Sequence, residues 1–429
     1  MGTSDFLNNL FRAAIAATHP SLCLPPHLPP VPHRGRVLVL AAGKAAGAMT
    51  EVAERHYLDA GLPPDRLTGL AVTRHGYGRP TQQIEVIEAG HPVPDAAGLA
   101  ASTRALELAD RATADDLVLV LLSGGASANW IAPARGLAFA DKQAVTRALL
   151  RSGANIGEIN TVRKHLSRIK GGRLAQAAMP ARVVTLAISD VPGDDPAVIG
   201  SGPTVPDPTT LTDARAVAAR YRLELPAAVH AALEDLDNET SKPGDPAFAH
   251  CEYKLIARPA DAFRAVEPLV RAAGYDCILL GDHVEGEARA VAADHAGQAR
   301  ALQQQGRRAV LLSGGELTVT LKGQGRGGPN QEYALALAIA LDGAAGIAGI
   351  AGDTDGTDGG AGSASDPAGA RIDGTTLVRA RSLGLDPAVF LADNDSTGFF
   401  ERLDDLVMTG PTCTNVNDFR AIVVDRAQA

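Results

Sequence analysis

Short apolar runs that end in Gly, Ser or Asp alternate with stretches of helical period along most of this chain. Runs at Val37–Ala42, Gly69–Thr73, Ile84–Glu88, Leu117–Leu122 and Val183–Ser189 read as buried strands, and their near-continuous apolar character is that of parallel strands covered on both faces. Between them, helical periodicity covers Gly43–Ala60, Asp95–Ala112, Asp141–Arg151 and Thr161–Ala178. This alternation predicts a parallel sheet with crossover helices. The pattern restarts with strands expected at Tyr253–Ile256, Cys277–Leu280, Ala309–Leu312, Leu317–Leu321, Gly346–Ala351 and Ile422–Val424 and a helix over Asn330–Ala340.

The polar stretch Asp235–Pro246 separates the two patterns and reads as a surface linker. The prediction is therefore an α/β protein of two α/β domains, the first over 1–240 and the second over 250–429. Ahead of the first strand, Phe6, Leu7, Leu10, Phe11, Ala14 and Ile15 mark an amphipathic helix behind a Ser4 cap. A proline-rich connector over Pro20–Pro32 follows it, in which no helix is expected.

With 429 residues, 45% of them hydrophobic and 21% charged, the chain can bury sizeable cores. A net charge of −9 argues against nucleic acid or an anionic membrane as partner. No apolar stretch reaches membrane-spanning length. The cysteines Cys23, Cys251, Cys277 and Cys413 are scattered without a Cys-x-x-Cys pair, which fits a reducing cytoplasm.

The candidate chemistry lies at strand ends. Leu-Leu-Ser-Gly-Gly occurs twice, placing Ser123, Gly124 and Gly125 after one strand and Ser313, Gly314 and Gly315 after another, followed by Glu316. Such loops expose backbone N–H groups at the carboxyl edge of a sheet, where open α/β sheets bind ligands. Gly323-Gln324-Gly325-Arg326-Gly327-Gly328 is a glycine loop around one arginine, suited to close approach of a phosphate. It also fits the dinucleotide expression Gly-x-Gly-x-x-Gly, with Asp353 where a ribose-binding carboxylate could stand, so a reductase is the alternative. Asp353, Asp355 and Asp358 share a glycine-rich loop that suits Mg²⁺, and Asp190 follows a strand where it can take a hydroxyl proton or hold the metal. Lys44 stands at a helix start, unfavourable for the helix dipole unless an anion is bound there, although the turn is no Walker A loop. The basic series Arg163, Lys164, His165, Arg168, Lys170 and Arg173 reads as a substrate-contacting helix or, as charge runs on helices usually are, a solvated face, His91 as part of a rigid turn, and Asn415 as a substrate contact or an Asx-turn residue.

Taken together, Ala41–Gly47, Gly90–Asp95, the two Ser-Gly-Gly loops, Asn160–Gly172, Ile188–Pro203, Leu311–Glu332, Gly352–Gly359 and Gly410–Asp418 resemble the class II glycerate kinases, which make 2-phosphoglycerate. The resemblance implies an N-terminal Rossmann-like glycerate-kinase domain, a C-terminal MOFRL domain and an active site in the cleft between them. It implies ATP-dependent phosphorylation of D-glycerate with Mg²⁺, in which positions matching Lys44, Asp190, Glu316, Arg326 and Asn415 are functional. Some relatives carry the label of hydroxypyruvate reductase, which keeps an NAD(P)H-dependent reductase as the alternative. A non-catalytic sensor of sugar acids or nucleotides is a third class. Glycerate and ATP are the expected small-molecule partners, and a homo-oligomer stays open.

Overall fold

The computed structural model describes residues 2–360, 363 and 365–426. The chain divides into two compact units, one of Cys23–Ile256 and one that joins Met1–Leu22 to Ala257–Ala429.

The first unit holds a six-stranded sheet of β1 (Val37–Ala42), β2 (Leu67–Arg74), β3 (Ile84–Ala89), β4 (Leu117–Leu122), β5 (Arg182–Ile188) and β6 (Cys251–Ala257), in the order β3-β2-β1-β4-β5-β6. From β3 to β5 all neighbours run parallel. This is the doubly wound order whose direction reverses between β1 and β4, the place where such sheets open a ligand crevice. β1 and β4 are buried along their whole length, as their unbroken apolar sequences require. Their register pairs Ala42 with Leu122, so Gly43 and Ser123 leave the sheet side by side.

The second unit holds β7 (Asp276–Gly281), β8 (Gly286–Glu287), β9 (Ala309–Ser313), β10 (Leu317–Thr318), β11 (Ile347–Asp353), β12 (Gly369–Ile372), β13 (Leu406–Val407) and β14 (Asp418–Val424). Six of them form a mixed sheet in the order β13-β12-β11-β14-β9-β7, with β14 antiparallel to both β11 and β9. β8 and β10 pair only with each other. The helix Pro329–Leu341 is buried nearly all round, with Tyr333, Leu335, Leu337 and Leu341 in the core of this unit.

Five expectations change. The amphipathic helix, observed at Thr3–Thr18, belongs to the second unit, outside the expected domain of 1–240. It buries Phe6, Leu7, Leu10 and Phe11, each contributing roughly 1.5–3 kcal/mol, and stacks Phe6 on Tyr275 with ring centroids 5.7 Å apart. Gly2 rather than Ser4 is its cap. The strand expected at Tyr253–Ile256 completes the first sheet as β6, so the division falls at Ile256 and not in the polar run. That run is no surface linker: Asn238, Thr240 and Ser241 are buried, and Glu239 accepts from His165 Nε2 at 2.8 Å and from Leu211 N at 3.0 Å. The helix expected over Thr161–Ala178 is broken into Ile156–His165 and Arg173–Ala177 by the non-helical segment 166–172, in which Ser167 bridges to Pro133 and Gly171 and Gly172 take the left-handed region ahead of the second piece. A further small difference is the helical turn Pro20–Cys23, which starts on its proline, where the missing N–H costs nothing.

Candidate active site

In the first unit the loops after β1 and β4 interlock. Lys44 N donates to Gly124 O at 2.8 Å, Ala45 N donates to Ser123 Oγ at 2.9 Å, and Ser123 N returns to Ala42 O at 3.1 Å. Gly43, at φ 121°, has to be glycine because a Cβ there would collide with Ser123 Oγ. Gly125, at φ 85°, lies against the His91 ring and the Lys44 side chain, so His91 joins this cluster and is more than a turn residue. Lys44 immediately precedes the Ala45 cap of the helix Ala46–Asp59, and that cap supplies no side-chain oxygen. The N–H groups of Lys44, Ala45 and Ala46 are committed to Gly124 O, Ser123 Oγ and Gly43 O. Asp190 is half-buried two residues beyond β5, on the same edge of the sheet. A groove of about 730 Å³ in this unit, lined by Leu106, Arg135, Arg168 and Arg173 among others, contains none of these residues.

In the second unit the antiparallel register sets Asp353 at the end of β11 opposite Asp418 at the start of β14, and Arg420 opposite Ser313 at the end of β9. Asp353 Oδ1 accepts Asp355 N, and Asp355 Oδ1 accepts both donors of Thr357. The 410–418 segment lies on this loop, with Thr354 Oγ1 donating to Asn417 O and Val416 N donating to Thr354 Oγ1 at 3.0 Å. Asn415 is buried and does close an Asx-turn, accepting Asn417 N at 3.3 Å. Glu316 is exposed just beyond the second Ser-Gly-Gly.

Two residues that the sequence left unremarked organise this end. The fully buried Arg420 donates to Gly314 O at 3.0 Å and Gly315 O at 2.8 Å, and its Nη1 lies 3.3 Å from Asp418. Asp418 also accepts Asn330 Nδ2 at 2.6 Å. Burial pushes the Asp418 carboxyl up to about 7, against the pull of Arg420 and Asn330. The only cue in the sequence is an alternation of Asp418 and Arg420 in an otherwise apolar strand.

Three assignments need correction. The glycine loop is not an open phosphate cradle: the N–H groups of Lys322 and Gly323 go to Asn394 Oδ1, that of Gln324 to Asp393 Oδ1, that of Gly325 to Asp393 O and that of Arg326 to Asp395 Oδ1. Its glycines are required by close approach to protein, since a Cβ at Gly323, Gly325 or Gly327 would collide with Asp393, Asp395 or Ser396. Asp358 is buried with both oxygens engaged by Asn330 and Gln331 at the start of the helix Pro329–Leu341, which makes it a helix cap and not an open metal ligand. The basic series is not a solvated face, because Lys164, His165, Lys170 and Arg173 are buried and only Arg168 is exposed. Arg326 itself is mostly exposed and pairs with Glu401 at 2.9 Å.

Among the described residues no group of three or more His, Cys, Asp or Glu side chains is placed to hold a metal unaided, and no helix is long and apolar enough to cross a membrane.

A doubly wound unit with a lysine at its switch point and a mixed α/β unit with carboxylates at its strand ends together define an α/β protein of the class whose sheets open ligand crevices at their carboxyl edges. Residues 6–234 match a domain of unknown function, DUF4147, and residues 309–418 match the MOFRL family. The chain belongs to this family, that of the class II glycerate kinases. It is 38% identical to the D-glycerate 2-kinase of Thermotoga maritima, covering 95% of each chain. It is 47% identical to an Agrobacterium vitis protein named as a candidate hydroxypyruvate reductase, over 97% of this chain and 94% of that one. The crystal structure of a Thermotoga maritima glycerate kinase superposes with a TM-score of 0.86 at 37% identity, over 98% of this chain and 99% of that one.

Proposed function

We propose that this chain is a cytoplasmic glycerate 2-kinase that transfers the γ-phosphoryl group of ATP to the 2-hydroxyl of D-glycerate. The observation that carries this reading is the interlock of Lys44 with Ser123–Gly125 at the point where the first sheet reverses direction. The interlock holds the backbone of Lys44 one residue ahead of a helix cap on this sheet edge, which supports a role for its ammonium in the positioning and charge neutralisation that phosphoryl transfer needs.

Asp190 accepts the proton of the 2-hydroxyl as the oxygen–phosphorus bond forms and ADP leaves. Lys44 neutralises charge on the moving phosphoryl group. Glu316 and Asn415 contact substrate or ribose. Arg326 joins them: an exposed ion pair such as the one with Glu401 contributes roughly 0–1 kcal/mol, so its guanidinium is readily recruited by a phosphate. Asp353 and Asp355 offer the hard oxygen donors Mg²⁺ takes, and the ion would draw charge from the nucleotide phosphates. With Asp358 occupied as a cap, they are the acidic-loop residues proposed to hold it.

The glycine loop weighs against the reductase. It follows β10, a strand outside the six-stranded sheet, and its N–H groups are committed internally. The turn after β1, where a dinucleotide fingerprint belongs, reads Gly43-Lys44-Ala45-Ala46-Gly47. A coupled assay for ADP release tests the proposal. Release that requires both glycerate and Mg²⁺ is expected, and NADH oxidation by hydroxypyruvate without ATP would overturn it.

A further inference from the structure

The two Ser-Gly-Gly loops end on the same backbone turn, Gly125 at φ 85° and Gly315 at φ 90°, but different groups hold them. In the first, the backbone N–H of Lys44 holds Gly124 O. In the second a side chain does so. Nη2 of Arg420 donates to Gly314 O at 3.0 Å and to Gly315 O at 2.8 Å, so one nitrogen bridges two successive carbonyls. Gly314 O also accepts Val284 N at 3.1 Å, and Arg420 Nε reaches Ser313 Oγ at 3.5 Å. Asp418 lies 3.3 Å from Nη1, so every nitrogen of this buried guanidinium is engaged by protein.

Peptide planarity carries this clamp outward. The peptide bonds after Gly314 and Gly315 are trans, and the C=O and N–H of a trans peptide point in opposite directions. Two carbonyls turned onto Arg420 therefore turn the N–H groups of Gly315 and Glu316 away from it. Neither N–H has an acceptor among the described residues, although Gly315 is buried and an unanswered buried N–H is rare. Successive free N–H groups on a glycine turn are the donor set of an oxyanion site, and a positive charge on the carbonyl side of both peptides strengthens them as donors.

We propose that Arg420 is a positioning residue: by clamping Gly314 O and Gly315 O it presents the N–H groups of Gly315 and Glu316 to an oxyanion of the substrates, a phosphate of the nucleotide or the carboxylate of glycerate. That the oxyanion belongs to a substrate rests on the glycerate-kinase reading; the clamp and the two free N–H groups do not. Arg420 itself touches no ligand. A lysine would keep the charge beside Asp418 but lacks the rigid fork that serves the carbonyls, Ser313 and Asp418 together.

The amide resonances of Gly315 and Glu316, followed by NMR in the full chain as inorganic pyrophosphate or D-glycerate is added, read the site without any substitution. Saturable shifts of both amides are expected, with pyrophosphate if the oxyanion is a phosphate and with glycerate if it is the carboxylate. No saturable shift with either would overturn the proposal even in a chain that phosphorylates glycerate. Shifts in a chain without kinase activity would uphold the site and overturn only the reading of function. In Arg420→Lys, and in the neutral Arg420→Gln, affinity for the ligand that moves these amides is expected to fall about tenfold or more. The KM for the substrate carrying that oxyanion should rise, with the other substrate's KM unchanged. Native affinity in either folded variant would show that the loop holds its own shape and would overturn the role of Arg420.

Discussion

Asp358 Oδ2 accepts the backbone N–H of Gln331 at 2.8 Å, and its other oxygen takes that of Asn330 at 3.0 Å. A carboxylate contributed by a distant loop therefore closes the first turn of the helix Pro329–Leu341, whose own Gly328 cap has no side chain to do so.

Removing this cap should cost stability more than metal affinity. Asp358→Ala strands two buried N–H donors, and a loss of about 2–4 kcal/mol is expected from denaturant unfolding. Asp353→Asn, at the end of β11, should instead raise the Mg²⁺ concentration needed for half-maximal activity at near-native stability. A shifted Mg²⁺ requirement in a folded Asp358 variant would return that residue to the metal site.

In the proposed reaction Lys44 acts on the transition state. Lys44→Ala should lower kcat by on the order of 10³ while changing the KM for ATP little, because interactions made mainly in the transition state are read in kcat. Lys44→Arg should not restore full activity, since a planar fork does not replace a compact ammonium. A purely KM effect would make Lys44 a ground-state anchor.

Gly325 has a packing reason to be glycine. A Cβ there meets the Asp395 side chain and backbone, so Gly325→Ala should displace the loop and cost about 1–3 kcal/mol, with faster proteolysis around Arg326. Native stability in this variant would show that the loop has room to open around a ligand.

His295 sets an acid limit on stability. Its Nδ1 lies 2.8 Å from the Tyr333 hydroxyl, and burial, with Arg420 adding repulsion, lowers its pKa to about 4. The unfolded chain binds this proton from near pH 6.5 downward and the folded chain resists it, so the contribution is complete above pH 6.5 and is lost as the pH falls towards 4. His295→Gln should flatten that window by on the order of 2 kcal/mol. An unchanged slope of unfolding free energy between pH 4 and 6.5 would show that other groups carry it.

Local pattern alone determined β1 and β4, the Asp95 cap of the helix after β3, and the loops bearing Lys44 and Ser123. An apolar run that ends in glycine and serine needs no distant partner to become a buried strand with an open end. What distant partners decided lay beyond it. β12 and β13, four and two residues long, exist only because a neighbouring edge is there to pair with, β11 for β12 and β12 for β13. The glycines at 323, 325 and 327 read as a ligand loop until Asp393–Ser396 came to lie against them. The Asp358 cap, the clamp of Arg420 on Gly314 and Gly315, and the burial of Lys142, Lys164 and Lys170 each join residues far apart in sequence or environments that the sequence does not display. Helical period separates a packed face from a solvated one only while charged residues stay in water, and in this chain the tertiary structure buries them.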